Sequence, residues 1–513
     1  MIFLTVLAFL FCAGGSAGWA WLLARSFQLA KYRLAEQVAD ARLYAPAFLV
    51  ALLFLVCFAV GDVAGAVLAI VGGGFSVAIS ATRIQKLKVP LKLTARVKRQ
   101  FLLFGIFILG AIALSLCLGF FLGTSGAVGA GGAVWAVAIL GASPFIFALS
   151  VIILNPLEEA RNRRFIEREA KKLHGRSLIK IGITGSFGKT SVKEILRSML
   201  SAKYKVVATE GNRNTPMGLA LTLKDLPKDA EVFICEMGAR YAGDIKELCR
   251  LVRPDYAIVT GVTGQHLETF GSLDNIATEK GELARHARLS VTLNMDNQYT
   301  KNMASGAPVT YAGFDRFAQV RAENVAVTAR GTTFDLVAFG ERATVKTRLL
   351  ARHNVLNILL ATATALELGI AFSEICDIIA GLVAVPHRLQ LVETANGVTV
   401  IDDGYNANIE GVMSALDLLK TYEGRRLVLA QGIVELGHES ASVNEKIGRA
   451  LATSADIVLL CGENADYILT GLSERGFPTE QIRRYKNLRE AQEDFPLILR
   501  HGDLLLLQND LVN

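Results

Sequence analysis

The chain has 513 residues, enough for roughly three domains, and 52% of them are hydrophobic. Its mean hydropathy of +0.39 is high for a soluble protein. Nearly all the long apolar runs fall within residues 1–155. The formal net charge of +7 does not indicate a nucleic-acid partner, because much of the basic excess flanks these runs, where anionic membrane lipids explain it more simply. Composition therefore predicts a membrane protein with a soluble body.

Five hydrophobic segments in residues 1–155 are candidate transmembrane helices. They cover residues 2–23, 45–61, 63–81, 101–123 and 131–154. We interpret 45–81 as a tight helical hairpin, with one long kinked helix as the alternative. Loops 24–44 and 82–100 carry Lys and Arg, whereas the other two turns carry none. The positive-inside rule therefore predicts a multi-pass protein of the cell membrane, with both basic loops and the catalytic domains in the cytoplasm.

The remaining chain predicts two α/β domains, residues 156–386 and 387–513. Hydrophobic periodicity predicts strands at 178–184, 231–236, 256–262 and 289–294, with helices at 190–202, 242–251 and 272–287 between them. Such alternation indicates a parallel sheet covered on both faces. Short alternating runs over 308–350 predict an antiparallel patch, and helices at 354–368 and 373–382 end this domain. Beyond Pro386 the alternation resumes, which predicts a smaller Rossmann-like domain.

The predicted strand at 178–184 leads into the sequence Gly185-Ser-Phe-Gly188-Lys189-Thr190-Ser191. Glycines let backbone N–H groups approach phosphate oxygens, Lys189 adds positive charge, and the Thr190 hydroxyl is a ligand suited to Mg²⁺. The spacing differs from the common Walker form, because Ile183 stands where the first glycine is usual. An ordinary strand–turn–helix is the alternative, but the flanking strand and helix favour a P-loop for a nucleotide.

Other polar residues follow predicted strands, where ligands gather in open parallel sheets. Glu236 and His266 are candidates for metal ligands, and Asp402-Asp403 follow a strand of the last domain. Lys280 lies on the apolar face of its helix, where partial desolvation lowers the pKa of a lysine. A neutral amine can take up CO₂ and become an anionic carbamate, whereas an ordinary snorkelling lysine is the alternative.

Seven further motifs follow one another along the chain: Thr209–Gly218, Glu236–Ala239, His266–Gly271, Lys280–Glu282, His353–Asn357, Pro386–Arg388 and Asp402–Asn408. In this order they resemble the motifs of the Mur ligases, ATP-dependent amide ligases of peptidoglycan precursors. The resemblance covers about residues 176–513 and is greatest to the branch that adds D-alanyl-D-alanine. The resemblance implies that ATP phosphorylates a carboxylate to an acyl phosphate, which an amine attacks while ADP and phosphate leave.

The resemblance also implies roles for single residues. Catalysis is assigned to Lys189, Lys280, His266 and Arg388. Contacts to ATP are assigned to Gly185, Ser186, Gly188, Lys189, Thr190, Ser191, Asn354, Asn357, Arg388 and Asp403. Mg²⁺ is assigned to Thr190 and Glu236, and a second ion to His266 and carbamylated Lys280. Contacts to the substrate are assigned to Asn212, Asn214, Tyr405, Asn406 and Asn408.

Departures from the family pattern concern the substrate half of the site. Apolar segments replace the usual domain that binds a UDP-sugar precursor. Gly404 and Ile409 stand where serine and proline are usual, Gln431–Ile433 where Gly-Asp-Met is expected, and Gln508–Asp510 where Lys-Gly-Ser is expected. We therefore expect the ATP half of the site to follow the family, whereas the acceptor and the added amine stay open.

The sequence thus predicts a membrane-anchored, ATP- and Mg²⁺-dependent ligase that joins an amino acid or dipeptide to a cell-wall precursor, either UDP-linked or lipid-linked. One alternative is a ligase that extends a γ-glutamyl or other polyamide chain. Another is a non-catalytic nucleotide-binding scaffold or partner subunit. The membrane segment either presents a lipid-linked acceptor or only holds the enzyme near other envelope-synthesis enzymes.

Overall fold

The computed structural model describes residues 2–29, 62–85, 91–121, 130–328, 330–394, 396–404, 409–434, 436 and 439–508. The chain forms two compact units, residues 1–164 and 165–513. The predicted span at 45–61 lies outside the described residues.

The described part of the first unit consists of apolar helices. They are α1 (Ile2–Leu29), α2 (Asp62–Gln85), α3 (Ala95–Phe121) and α4 (Ala130–His174). Each is long and apolar enough to cross a membrane. Helix α4 continues past the unit boundary into the charged segment that follows the apolar run. Two contacts connect α3 to α4, since Arg99 pairs with Glu158 through both carboxylate oxygens and Arg96 hydrogen-bonds Asn155.

The second unit contains two sheets, and the first has nine strands. These strands are β1 (Ile179–Thr184), β2 (Val206–Ala208), β3 (Val232–Glu236), β4 (Tyr256–Val259), β5 (Ser290–Asn294), β6 (Val309–Gly313), β7 (Val320–Thr328), β8 (Gly331–Ala338) and β9 (Glu341–Thr347). The order β2-β3-β1-β4-β5-β6-β7-β8-β9 is parallel through β7, and β8 and β9 add antiparallel pairs. The structure thus confirms the predicted parallel sheet and antiparallel patch.

Helices cover both faces of the nine-stranded sheet. They are α5 (Lys189–Leu200), α6 (Pro216–Lys224), α7 (Asp244–Val252), α8 (Leu267–Phe270), α9 (Leu273–His286), α10 (Gln298–Lys301), α11 (Arg352–Glu367) and α12 (Phe372–Gly381). One apolar core packs α5 and α11 against one face, and another packs α7 and α9 against the opposite face. Strand β1 lies between β3 and β4 and is parallel to both, so the carboxyl ends of these three strands lie side by side. The loops that follow them form the site described below.

The second sheet has six strands in the order β10-β11-β15-β12-β13-β14. They are β10 (Gln390–Glu393), β11 (Thr399–Asp402), β12 (Arg426–Ala430), β13 (Ile457–Leu460), β14 (Ile482–Arg484) and β15 (Leu504–Gln508). The helices are α13 (Ile409–Leu419), α14 (Ser440–Ser454), α15 (Ala465–Glu474) and α16 (Leu488–Ile498), with a 3₁₀ turn at Thr479–Gln481. All pairings except β10 with β11 are parallel, as a Rossmann-like domain requires.

A buried ion cluster fixes the amino-terminal ends of β1 and β4, opposite the site. The carboxylate of Asp255 is 4% exposed. It accepts hydrogen bonds from the Lys180 backbone N–H at 2.9 Å and from the Arg288 Nε at 3.0 Å, and it pairs with the Lys180 Nζ at 3.0 Å. Burial raises the pKa of Asp255, but the hydrogen bonds from Arg288 and Lys180 outweigh it and hold this pKa below its ordinary value.

We expect Asp255→Asn to destabilise the second unit by about 3–5 kcal/mol, because it leaves the buried Lys180 ammonium without a counter-ion. The folded-state pKa of Asp255 is depressed, so its stabilising contribution is present above the unfolded pKa and is lost as the pH falls through the folded value. Thermal unfolding of the full chain at several pH values measures both effects. The control is Asp229→Asn, which breaks the exposed pair with Lys205 and is expected to change the stability little, because solvent screens an exposed ion pair. Equal melting temperatures for the two variants would contradict the prediction.

Candidate functional site

The loop between β1 and α5 has the backbone that a phosphate-binding loop needs. Gly185 and Gly188 have φ angles of +145° and +71°, which glycine adopts most readily. A Cβ atom at Gly185 would collide with the Thr260 hydroxyl, and one at Gly188 would collide with the Asn357 amide. The glycines are therefore required both by backbone conformation and by close packing.

Lys189 crosses this loop and donates a hydrogen bond from Nζ to the Gly185 carbonyl at 2.7 Å. Burial lowers the pKa of Lys189 to about 8, with Glu236 opposing the shift and Arg388 adding to it. A phosphate group beside Lys189 would favour its charged form, since an opposite charge within a few ångströms raises the pKa of an amine. The lysine is thus placed to respond to an anion at the loop.

Two serines, Ser186 in the loop and Ser191 at the start of α5, are buried and make different contacts. The Ser186 hydroxyl is 3% exposed and bridges to the neighbouring loop, since it donates to the Thr263 carbonyl and accepts from the Thr263 N–H. Ser191 lines the pocket described below. The Ser186 side chain therefore holds two loops together, and its backbone N–H adds to this connection by donating to the Gly261 carbonyl at 2.9 Å.

Glu236, at the carboxyl end of β3, contacts polar side chains from helix α5 and from the segment before α6. The Thr190 hydroxyl donates to its Oε2 at 3.0 Å, and the Asn214 amide donates to its Oε1 at 3.3 Å. The Lys193 Nζ lies 3.3 Å from Oε2. Arg388 in turn reaches the Thr190 hydroxyl at 3.5 Å. Thr190 and Glu236 thus present adjacent oxygen ligands of the kind Mg²⁺ prefers.

Lys280, on α9, is 3% exposed. Burial and, to a smaller extent, the nearby charge of Lys189 lower the pKa of Lys280 to about 7, although Glu279 and Asp244 oppose the shift. The influence of Lys189 places Lys280 within electrostatic range of the phosphate loop. A substantial fraction of this amine is therefore neutral near pH 7, as the sequence predicted from its position on the apolar face.

His266 begins the short helix α8 with a left-handed backbone, at a φ of +59°. This conformation is uncommon for a residue other than glycine and is typical of functional sites. The ring is half-buried. Within the described residues, no group of three or more His, Cys, Asp or Glu side chains is arranged to hold a metal ion, so the pairing of His266 with Lys280 stays a prediction.

A pocket of about 250 Å³ opens beside the phosphate loop. It is lined by residues of the domain that contains the nine-stranded sheet and by four residues of the domain that contains the six-stranded sheet. The first group is Phe187, Gly188, Ser191, Asn294, Asp296, Asn297, Phe314, His353, Leu356 and Asn357, and the second is Arg388, Asp403, Glu410 and Gly411. The aromatic ring of Phe314 is stacked against the Arg352 guanidinium at 4.0 Å. An apolar ring, several amides and a neighbouring phosphate loop suit a nucleotide.

His353 is a pocket residue to which sequence reasoning gave no role. Burial and the charge of Arg388 lower the pKa of His353 to about 4, so the ring is neutral near pH 7. Its Nδ1 is buried and has no hydrogen-bond partner. A buried orphan of this kind calls for a ligand, and a nucleoside in the pocket would supply one. His353 belongs to the motif His353–Asn357, in which the resemblance assigned roles to Asn354 and Asn357 but not to His353.

The two asparagines of that motif play different parts. Asn357 lines the pocket and donates to the Asn354 Oδ1 at 3.3 Å. Asn354 is not among the lining residues and donates to the Leu350 carbonyl at 2.8 Å. The structure therefore places Asn357 at the pocket, with Asn354 behind it as its support.

Arg388 and Asp403 line this pocket from the domain that contains the six-stranded sheet. Arg388 lies between His387 and Leu389, which have left-handed φ angles of +61° and +45°, a strained backbone often found at functional sites. The Asp403 carboxylate accepts from the Leu389 N–H at 3.2 Å. Burial raises the pKa of Asp403 to about 6, against the opposing effects of that hydrogen bond and of Arg388.

The residues predicted to contact the substrate are only partly described. Asn214 lies against Glu236, and Asn212 is exposed on the same segment. Tyr405, Asn406 and Asn408 lie outside the described residues.

Comparisons with known proteins agree with this geometry. Residues 183–365 match the Mur ligase middle domain, and residues 387–508 match the Mur ligase, glutamate ligase domain. The UDP-N-acetylmuramoyl-tripeptide–D-alanyl-D-alanine ligase of Escherichia coli is 32% identical over 330 residues, 62% of this chain and 73% of the relative.

Two solved structures are similar as well. MurF from Acinetobacter baumannii has a TM-score of 0.61 at 25% identity, over 67% of this chain and 76% of that one. MurF from Thermotoga maritima in complex with ADP has the same TM-score and identity, over 68% of this chain and 80% of that one. The chain therefore belongs to the Mur ligase family of ATP-dependent acid–amino-acid ligases.

Proposed function

We propose that this ligase activates a carboxylate as an acyl phosphate and then joins it to an amine. The observation that supports this best is the convergence of Lys189, Thr190 and Glu236 beside the pocket, with Arg388 reaching Thr190. The carboxylate oxygen attacks the γ-phosphorus and ADP leaves. The amine then attacks the acyl carbon, and phosphate departs with the electrons of the C–O bond. Positioned cations stabilise the phosphoryl group in transfer, so little covalent chemistry falls to the protein.

Mur ligases use ATP and Mg²⁺, and the described residues fit both. The unpaired Nδ1 of His353 and the Asn357 amide suit a nucleoside in the pocket. Thr190 and Glu236 would hold the metal, and a bound Mg²⁺ would neutralise phosphate charge. The chain's own contribution is to orient these oxygens, since Asn214 fixes the second carboxylate oxygen of Glu236.

We further propose that Lys280 works as a carbamate. Its neutral amine attacks CO₂, forms an N–C bond and releases one proton. The product carries two oxygens that, with His266, would hold a second Mg²⁺. Burial of Lys280 and its pKa of about 7 support the idea, because only the neutral amine is nucleophilic.

For the substrates, we propose a peptidoglycan-type precursor as the acceptor and D-alanyl-D-alanine as the amine, as the name of the Escherichia coli relative states for that protein. Asn212 and Asn214, with Tyr405, Asn406 and Asn408, are the proposed substrate contacts. The unmatched first unit leaves the carrier open, so the acceptor is presented either on UDP or on a membrane lipid.

We propose that the enzyme acts at the cytoplasmic face of the membrane. Four helices long and apolar enough to span it support this placement, together with the basic residues of loop 82–100. Arg96 and Arg99 belong to the first turns of α3, where they are already bonded to Asn155 and Glu158. A lipid-linked diphosphate would therefore rely on other basic residues of 82–100, such as Lys92 before α3 and Lys98 within it.

The test uses the full chain in lipid nanodiscs with ATP, Mg²⁺ and D-alanyl-D-alanine. One arm supplies the UDP-linked muramoyl tripeptide, and the other supplies the lipid-linked form. We expect ADP release and a product heavier by the dipeptide less one water, and Lys189→Ala is the inactive control. Glutamate as the only amine tests the polyamide alternative. ADP release without product, or product only with glutamate, would contradict the proposal. Preference for one carrier decides the role of the membrane unit.

A further inference from the structure

Lys193 is a buried lysine, and no step of the mechanism above uses it. It lies one turn beyond Thr190 on α5, and its side chain is 0% exposed. A lysine is rarely buried so completely unless its charge is paired and its donors are satisfied. The groups that contact the Lys193 ammonium therefore indicate the role of this residue.

The Lys193 ammonium has three N–H donors, and three nearby oxygens can accept from them. Nζ donates to the Thr209 carbonyl at 2.7 Å and to the Gly211 carbonyl at 3.2 Å. It also lies 3.3 Å from the Glu236 Oε2. Two of these oxygens belong to the backbone of segment 209–214, which connects β2 to α6.

Segment 209–214 touches Glu236 in two further ways. The Glu236 backbone N–H donates to the Thr209 hydroxyl at 3.0 Å, and the Asn214 amide donates to the Glu236 Oε1 at 3.3 Å. None of its residues lines the nucleotide pocket. The segment thus borders the predicted metal ligand from a side other than that of the nucleotide.

A carboxylate substrate needs such a place. Its oxygen must come within about 3–3.5 Å of the phosphorus that it attacks, and Thr190 and Glu236 are the residues proposed to hold the metal at that phosphate. The nucleotide would occupy the pocket, so the substrate would approach from another side. Segment 209–214 borders the buried Glu236, and its Gly211 and Asn212 are exposed.

We propose that Lys193 is a positioning residue that fastens segment 209–214 to the phosphate-binding helix and so places this segment for the carboxylate substrate. The inference rests on the proposed function, because it takes the acceptor to be a carboxylate that receives the γ-phosphoryl group. Lys193 itself touches neither substrate. It acts through the Thr209 and Gly211 carbonyls, which without it would lose a shared donor.

The test replaces Lys193 with methionine in the full chain. Methionine has an unbranched side chain of similar length but none of the three N–H donors of lysine. We expect amide hydrogen exchange in peptides that cover 210–214 to become faster, because their attachment is lost. We expect kcat/KM for the muramoyl-peptide acceptor to fall by about 100-fold, the usual effect of small misplacement. The Kd of Mg·ADP should stay within twofold of the wild-type value.

Lys180→Met is the matched control, because Lys180 is also a buried lysine, on the adjacent β1 but at its far end with Asp255. It should lower the melting temperature without accelerating exchange at 210–214. If Lys193→Met does not fold, Lys193→Gln keeps an amide NH₂ group with two of the three donors and is expected to show the same selective loss, though smaller.

Unchanged exchange at 210–214, or equal weakening of the acceptor and of Mg·ADP, would overturn the proposal. Failure of the proposed function looks different. A wild-type chain that ligates neither precursor refutes that function, and the exchange measurement then still decides whether Lys193 holds the segment.

Discussion

Replacing Lys280 with alanine is expected to reduce ligase turnover by at least about 100- to 1,000-fold, the effect of removing one preorganised electrostatic group. The side chain is buried beside the phosphate loop, and its pKa of about 7 leaves neutral amine available to take up CO₂. Steady-state ADP release with the precursor and dipeptide measures the loss. A short-chain carboxylate such as acetate, added to the buffer, should partly restore the rate, because it can occupy the place of the carbamate oxygens.

Lys280→Arg separates the carbamate from a simple positive charge, since a guanidinium stays protonated and does not take up CO₂. We expect this variant to be as inactive as Lys280→Ala, and its activity should not respond to acetate. Activity near the wild-type rate in either variant would exclude the carbamate. With the wild-type chain, removal of CO₂ from the buffers should lower the rate, and bicarbonate should restore it.

The same amine gives a pH dependence with a definite sign. As the pH falls below about 7, Lys280 becomes protonated and carbamate formation is lost. We therefore expect the rate on the acid side to fall as the pH decreases and to depend on the concentration of CO₂. An acid limb that is unchanged by added bicarbonate would assign the titration to another group.

Arg388→Ala is expected to lower turnover by about 100- to 1,000-fold while the Kd of ADP changes by less than about threefold. The guanidinium reaches Thr190 at 3.5 Å from the loop before the second sheet. We therefore propose that it adds charge beside the transferred phosphoryl group when the two domains are together, and that this closure would exclude water from the proposed acyl phosphate. Turnover comes from steady-state kinetics, and the Kd comes from calorimetry.

Arg316→Ala is the matched control, because this arginine only stacks on the exposed ring of Phe317. It should leave both quantities unchanged. Arg388→Ala should also raise the ratio of ADP released to product formed, since a poorly closed site lets water hydrolyse the intermediate. Equal losses of turnover and ADP affinity would contradict a closing role.

The sequence predicted the elements of the central domain that have strong periodicity. The strand before the phosphate loop begins one residue later than predicted and ends where predicted, and helix α9 with Lys280 is one residue shorter than predicted at each end. The strand β2 was not predicted because its three residues are too few to display a period, and helix α6 was not predicted because its apolar residues are not confined to one face. The family resemblance placed Lys189, Thr190, Glu236 and Arg388, which the structure brings together.

The missed residues share a physical cause. Asp296, Phe314 and His353 reach the pocket from separate loops and a helix start, and only the tertiary fold brings them to one place. Lys193 resembles an ordinary surface lysine of an amphipathic helix, and its burial depends on the backbone of a segment sixteen residues away. Local patterns hold no information on such contacts.

The strand order of the second sheet has a consequence for biosynthesis. Strand β15, although last in sequence, lies between β11 and β12 and pairs in parallel with both. The strands of the nine-stranded sheet are complete at residue 347, and helices α11 and α12, which cover one of its faces, end at residue 381. This domain can therefore fold during translation once residue 381 has left the ribosome. The six-stranded sheet has no centre until residue 508 emerges. Until then its apolar strands, such as Leu427–Ala430, expose unpaired edges that chaperones would recognise. A nascent chain that has emerged to a point between residues 381 and 504 would therefore carry a folded nucleotide-binding domain and an aggregation-prone remainder.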